Sequence, residues 1–106
     1  MIRKLLKWIN SLFTKAYTCQ FTEDIPESLN SKVVYFIGHE GYYWQAVMIC
    51  PCGCEKILQL NLITDHKPHW KYETHRNKKI TLYPSIHRMV GCKSHFFVRN
   101  GKIIWA

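Results

Sequence analysis

The sequence predicts a mainly β domain, a small antiparallel sandwich or barrel-like sheet with metal knuckles, preceded by one amphipathic helix. Three observations lead there. Period-two patterning and short buried-type apolar runs recur from residue 32 to residue 106. Glycine- and asparagine-containing turns punctuate those runs. Helical spacing of apolar residues appears only ahead of them, in positions 1–17. A chain of 106 residues suits one domain with one core, here 1–106, with a basic helix at 1–17 and a β core at 32–106.

In "MIRKLLKWINSLFTKAY" the residues Ile2, Leu5, Leu6, Ile9, Leu12 and Phe13 fall on one helical face, with Arg3, Lys4, Lys7 and Lys15 largely on the other. Such a helix packs on its own domain or makes peripheral contact with a membrane surface or an acidic partner. Its interleaved lysines make it neither a signal-peptide core nor a membrane span. "TEDIPESLN" is a polar, turn-rich link. "KVVYFIG" then reads as a buried strand, "HEGYY" as a turn, and "YYWQAVMIC" as a strand running into a cysteine cluster. "EKILQLNLI" alternates Leu58, Leu60 and Leu62 against Ile57, Gln59 and Asn61, the mark of a half-buried strand. "HWKYETH" is a further strand, and "ITLYPSI" a strand ended by Pro84. "HFFV" and "KIIW" form a hairpin about an Arg-Asn-Gly turn. The count is about six short strands from patterning alone.

The formal charge of +8, from 15 Lys and Arg against 7 Asp and Glu, would attract an acidic protein, nucleic acid or an anionic membrane without choosing among them. The basic residues are spread along the chain and match no RNA-binding motif, so nothing specific supports nucleic acid. Trp44, Trp70 and Trp105 fall in strand patterns, where aromatic residues are more often core than base-stacking platforms.

Five cysteines, an odd number and crowded, argue against a secreted disulfide framework and point to a cytoplasmic chain whose thiols are ligands or reactive groups. "CPCGC" at 50–54 and "CKSH" at 92–95 form two turns at the ends of β runs, and both carry soft ligands. Zinc takes four tetrahedral ligands from thiolate and imidazole. Cys50, Cys52, Cys54, Cys92 and His95 compete for the four places. Three thiols at i, i+2 and i+4 would crowd one ion, so the expected set is Cys52, Cys54, Cys92 and His95, with Cys50 as the alternative ligand. An iron–sulfur cluster of Rieske type is the alternative cofactor, although its first turn needs a histidine that "CPCGC" lacks.

Ser85 follows Pro84 at a strand end, with His87 two residues on and His95 within possible reach; a serine activated by histidine is a nucleophile for acyl transfer. The plain alternative is a turn serine. His39, His66, His69 and His75 read as surface residues.

"CPCGC", "LNL", Trp70, "LYPSI", "GCKSHFF" and the closing "NGKIIW" together resemble a small bacterial family of unknown-function domains with the pattern CPCGC…PSI…GC(R/K)SHF…GxIxW. The similarity runs the length of the chain. Ala106 stands where other members carry a further cysteine after the tryptophan. Members resemble accessory proteins encoded beside bacterial ubiquitin-like conjugation genes. The resemblance implies a peptidase that processes or removes the modifier, with the ubiquitin-like modifier or its conjugating enzymes as partners. A metallo-version would need an open zinc position and Glu55 or His87 as base; a serine version would use Ser85. The alternative is a non-catalytic adaptor whose zinc only fastens two β loops.

Overall fold

The computed structural model describes residues 16–89 and 91–106. The helix expected at 1–17 lies almost wholly outside the described residues. Ala16 and Tyr17, its last two positions, belong to no regular element.

Among the described residues eight strands form two four-stranded sheets. The first holds, in spatial order, β1 (Thr18–Thr22), β2 (Val33–His39), β3 (Tyr42–Ile49) and β4 (Ile57–Asn61). The second holds β5 (Lys71–Thr74), β6 (Ile80–His87), β7 (His95–Arg99) and β8 (Lys102–Trp105). The only helical element described is a 3₁₀ turn at Arg76–Lys78. Both sheets bury side chains in one cluster. Val34, Phe36, Met48, Leu58 and Leu60 come from the first, and Ile80, Leu82, Ile86, Phe96 and Val98 from the second.

Local sequence explains most of these strands. In β4 the alternation holds, with Leu58 and Leu60 buried and Ile57 and Gln59 exposed. In β2 the unbroken run Val34–Ile37 is buried because both faces are covered. Val34 and Phe36 enter the shared core, while Tyr35 and Ile37 join Val47 in a second cluster that Leu29, Val33 and Trp44 cover.

Two features depart from the patterned expectation. Strand β1 begins at Thr18, ahead of residue 32, and pairs with β2 in parallel, whereas the other strand pairs are antiparallel. The polar link at 23–32 is the crossover that a parallel pair requires. Strand β6 continues through Pro84 to His87 instead of ending there. Between Leu82 and Ile86 the pairing with β7 shifts register, and Pro84 lies in that irregularity, where its missing N–H costs no ladder bond.

Glycine is obligatory at the bulge of the first hairpin. A side chain on Gly38 would sit 2.0 Å from the Tyr42 carbonyl oxygen and 2.5 Å from the Tyr43 Cα. Both are backbone atoms of the partner strand and cannot swing aside. Gly38→Ala should therefore lower stability by about 1–3 kcal/mol, the usual cost of overpacking, read as a lower thermal midpoint.

Candidate metal centre and serine–histidine pair

The loop after β3 does not continue the extended strand. Cys50 N–H donates to the Lys56 carbonyl at 2.8 Å, closing the loop at its base. Gly53 and Glu55 take left-handed backbone conformations inside it, with φ of 96° and 63°. The curl turns i, i+2 and i+4 inward around one point. The sulfurs of Cys50, Cys52, Cys54 and Cys92 all lie within 4.8 Å of one another, a group that could hold a metal ion. Cys50 Sγ is 3.5 Å from Cys52 Sγ and 3.7 Å from Cys92 Sγ. The crowding expected of three thiols on one segment arises only for an extended strand; in this loop all three meet Cys92. His95 is not among the clustered groups.

The surroundings suit negative sulfur. The Cys54 amide is directed at Cys52 Sγ at 3.4 Å. Arg88 Nη1 donates to Cys92 Sγ at 3.2 Å and Cys54 Sγ at 3.5 Å. The buried Ser94 hydroxyl lies 3.0 Å from Cys92 Sγ. Hydrogen bonds from the Ser94 hydroxyl and amide bring the Cys92 thiol down to about 5. Burial pushes Cys50 up to about 11, since its thiol is withdrawn from water. The Ser94 hydroxyl also lowers Cys52. Without a metal, Cys50 therefore holds its proton far more tightly than Cys52 or Cys92. In metal-free protein, iodoacetamide should modify Cys92 first, at a rate that holds from alkaline pH down to about 5 and falls only below it.

The second constellation follows from strand pairing. Residues two apart on a strand share a face, so Ser85 and His87 project together from β6. His95 is the direct partner of His87 across β6 and β7. The two imidazoles stack with centroids 4.4 Å apart and planes 17° from parallel. His95 Nε2 lies 2.9 Å from Ser85 Oγ, within hydrogen-bonding distance. The flanking residues Ile86 and Phe96 point into the core, so the Ser–His pair faces away from it. Among the described residues no carboxylate pairs with His95.

Two contacts of this site carry no motif. The Trp70 indole N–H donates to the Ser85 carbonyl at 3.3 Å, fixing the backbone that bears the hydroxyl. Arg88, the residue after His87, links that same strand end to the thiols. Sequence spacing could not reveal Trp70 with Ser85 or Arg88 with Cys54, which join residues remote in the chain, although Arg88 and Cys92 are only four apart. The other histidines lie elsewhere. His39 pairs with Glu23 at 2.6 Å, His69 lies 3.1 Å from the His66 carbonyl, and His75 is half-buried against Thr81 at 2.6 Å. Trp105, expected in the core, is half exposed at 51 %. No helix of the described residues is long and apolar enough to cross a membrane.

Fold and site define a class: a two-sheet β domain with a four-thiol group at one rim and a serine–histidine pair on an outward sheet face. The chain belongs to the BubE family, described as the bacterial ubiquitination-like system serine protease, whose family model matches residues 21–106. That match agrees with the resemblance to domains encoded beside ubiquitin-like conjugation genes. No curated protein and no solved structure matches the chain.

If Trp70 fixes the Ser85 backbone as the geometry indicates, Trp70→Phe keeps an aromatic ring against the core but loses the N–H together with part of the indole. The expected result is a folded protein in which labelling of Ser85 by a fluorophosphonate slows about three- to tenfold, the worth of one hydrogen bond.

Proposed function

We propose that the protein is a serine peptidase that cleaves a peptide or isopeptide bond at the C-terminus of a ubiquitin-like modifier, with zinc as a structural fastening. The observation that carries this reading is the 2.9 Å approach of His95 Nε2 to Ser85 Oγ on an exposed sheet face. The family description supports the reaction class.

Ser85 Oγ attacks the scissile carbonyl carbon as its proton passes to His95 Nε2. The tetrahedral adduct collapses with cleavage of the C–N bond, and the leaving amine takes that proton. A water then gives a proton to His95, its oxygen attacks the acyl ester, and Ser85 leaves with the proton returned. His87, stacked on His95, holds the ring plane. The partners are the modifier or its conjugating enzymes.

The donor set suits zinc. Four sulfurs about 2.3 Å from a tetrahedral zinc stand about 3.8 Å apart. The separations of 3.5 and 3.7 Å about Cys50 approach that edge. Cys50, Cys52, Cys54 and Cys92 would hold the ion; zinc with four thiolates has a net charge of about −2, which the Arg88 guanidinium partly offsets. A shell closed by four thiolates has no position for water, which argues against a metallopeptidase using Glu55 or His87. It supplies structure alone. A Rieske centre needs two histidine ligands, and His95 is engaged with Ser85. The adaptor reading shares the zinc and lacks only the reaction.

Elemental analysis should find about one zinc per chain, and cobalt substitution should give the intense visible bands of a tetrahedral thiolate site. Iron in place of zinc would refute the metal assignment. Cleavage of a modifier fusion should fall by about 10²–10⁴-fold in Ser85→Ala and in His95→Ala with zinc retained, and by less in His87→Ala. Cleavage unchanged in Ser85→Ala would sink Ser85 as the nucleophile, and no cleavage by the wild type would sink the peptidase reading and leave the adaptor.

A further inference from the structure

The register orders the outward face of β6, β7 and β8 into rows. His87 opposes His95, Phe97 opposes Ile104, and Arg99 opposes Lys102. Leu82 pairs with Val98 and Ile86 with Phe96, so the irregular stretch 83–85 lies across from Phe97. With Leu82, Ile86, Phe96 and Val98 buried, the alternate residues of β7 face outward. Next to the Ser–His pair stands an apolar row, Tyr83, Phe97 and Ile104, and beyond it a basic row, Arg99 and Lys102.

The Tyr83 hydroxyl donates to Glu73 Oε2 at 3.2 Å, but the apolar surface of the first row and the charges of the second remain open. Tyr83 is 45 % exposed and Ile104 41 %. The Arg99 guanidinium lies 4.5 Å from the centroid of Phe97, which holds the charge toward the site. Among the described residues neither Arg99 nor Lys102 forms an ion pair. Like charges directly opposite on paired strands destabilise a sheet. An anion seated between them relieves that repulsion.

We infer that this shelf selects the substrate of Ser85: an extended peptide with a large apolar side chain near the bond cleaved and an acidic side chain beyond it. The apolar side chain lies on Tyr83, Phe97 and Ile104, and the carboxylate meets Arg99 and Lys102. From the His95 ring to the Phe97 ring is 6.0 Å, and from there to the Arg99 guanidinium 4.5 Å. Extended chain rises about 3.3 Å per residue, so the carboxylate belongs within about three residues of the scissile bond. Charge complementarity chooses an acidic peptide over a basic one. The inference rests on the serine-peptidase reading and adds the substrate class.

Two measurements on the full chain separate the two ideas. A small fluorophosphonate carrying no peptide reads the nucleophile, with Ser85→Ala as its blank. Quenched fluorescent peptides read the shelf: one with leucine near the bond and glutamate beyond, one with glycine for leucine, one with lysine for glutamate. The leucine–glutamate peptide should be cleaved with a kcat/KM about tenfold or more above either variant, the scale of one charge-assisted contact. In the double variant Arg99→Glu, Lys102→Glu the preference should invert toward the lysine peptide, an inversion that impaired folding cannot produce. Ile104→Asp should erase the preference for leucine over glycine. Labelling of Ser85 with equal cleavage, or no cleavage, of the three peptides overturns the shelf and leaves the nucleophile standing. Failure of the fluorophosphonate to label Ser85 overturns the peptidase reading, and the shelf falls with it.

Discussion

The meeting of Cys50 with Cys92, 3.7 Å apart, joins the end of β3 in one sheet to the link between β6 and β7 in the other. The two sheets already share an apolar core, but a core is tolerant of small slides between its layers, whereas sulfurs drawn to one ion are not. Cys92 stands three residues before His95, and the Ser94 hydroxyl between them contacts both Cys92 and Cys50. Whatever holds the four sulfurs together therefore also sets where β7 begins. Arg88 extends the same constraint to the end of β6. The four-thiol group and the Ser–His pair draw on different residues of one connected loop.

Sheet geometry does the remainder. Ser85 and His95 belong to adjacent antiparallel strands, so pairing brings them together without a dedicated loop. The irregularity sets the four steps from Leu82 to Ile86 against only two from Val98 to Phe96, and Pro84 leaves the core face that alternation would give it. A regular ladder would hold β6 in plain alternation; the extra residues are where Tyr83, Pro84 and Ser85 stand clear of the core. Trp70 then ties down the Ser85 carbonyl from the far side of β6. A serine on a paired strand is held more stiffly than one on a free loop, which fixes its approach to His95.

Much of this was legible in the sequence because it depends on local pattern. The alternation of Leu58 and Leu60, the buried run Val34–Ile37 and the Asn100–Gly101 turn each reveal an element from a few neighbouring residues. Strand β1 was not legible, since "TCQFT" has only Cys19 fully buried and its pairing to β2 is a long-range event. The thiol cluster was half legible: the residue types announced a group able to hold a metal, yet counting along an extended strand mistook how Cys50, Cys52 and Cys54 could converge. Left-handed backbone at Gly53 and Glu55 changes that count, and nothing in a linear spacing shows it.

The sequence by itself determined the β character, the two cysteine-bearing turns and the list of residues able to do chemistry, because residue type and short-range periodicity carry that information. Only the tertiary structure decided which of them meet. It brings Cys50 to the other three thiols and gives His95 to Ser85. The physical reason is that a hydrogen bond or a metal shell is set by distances of a few ångströms between strands far apart in the chain, and strand register alone sets those distances.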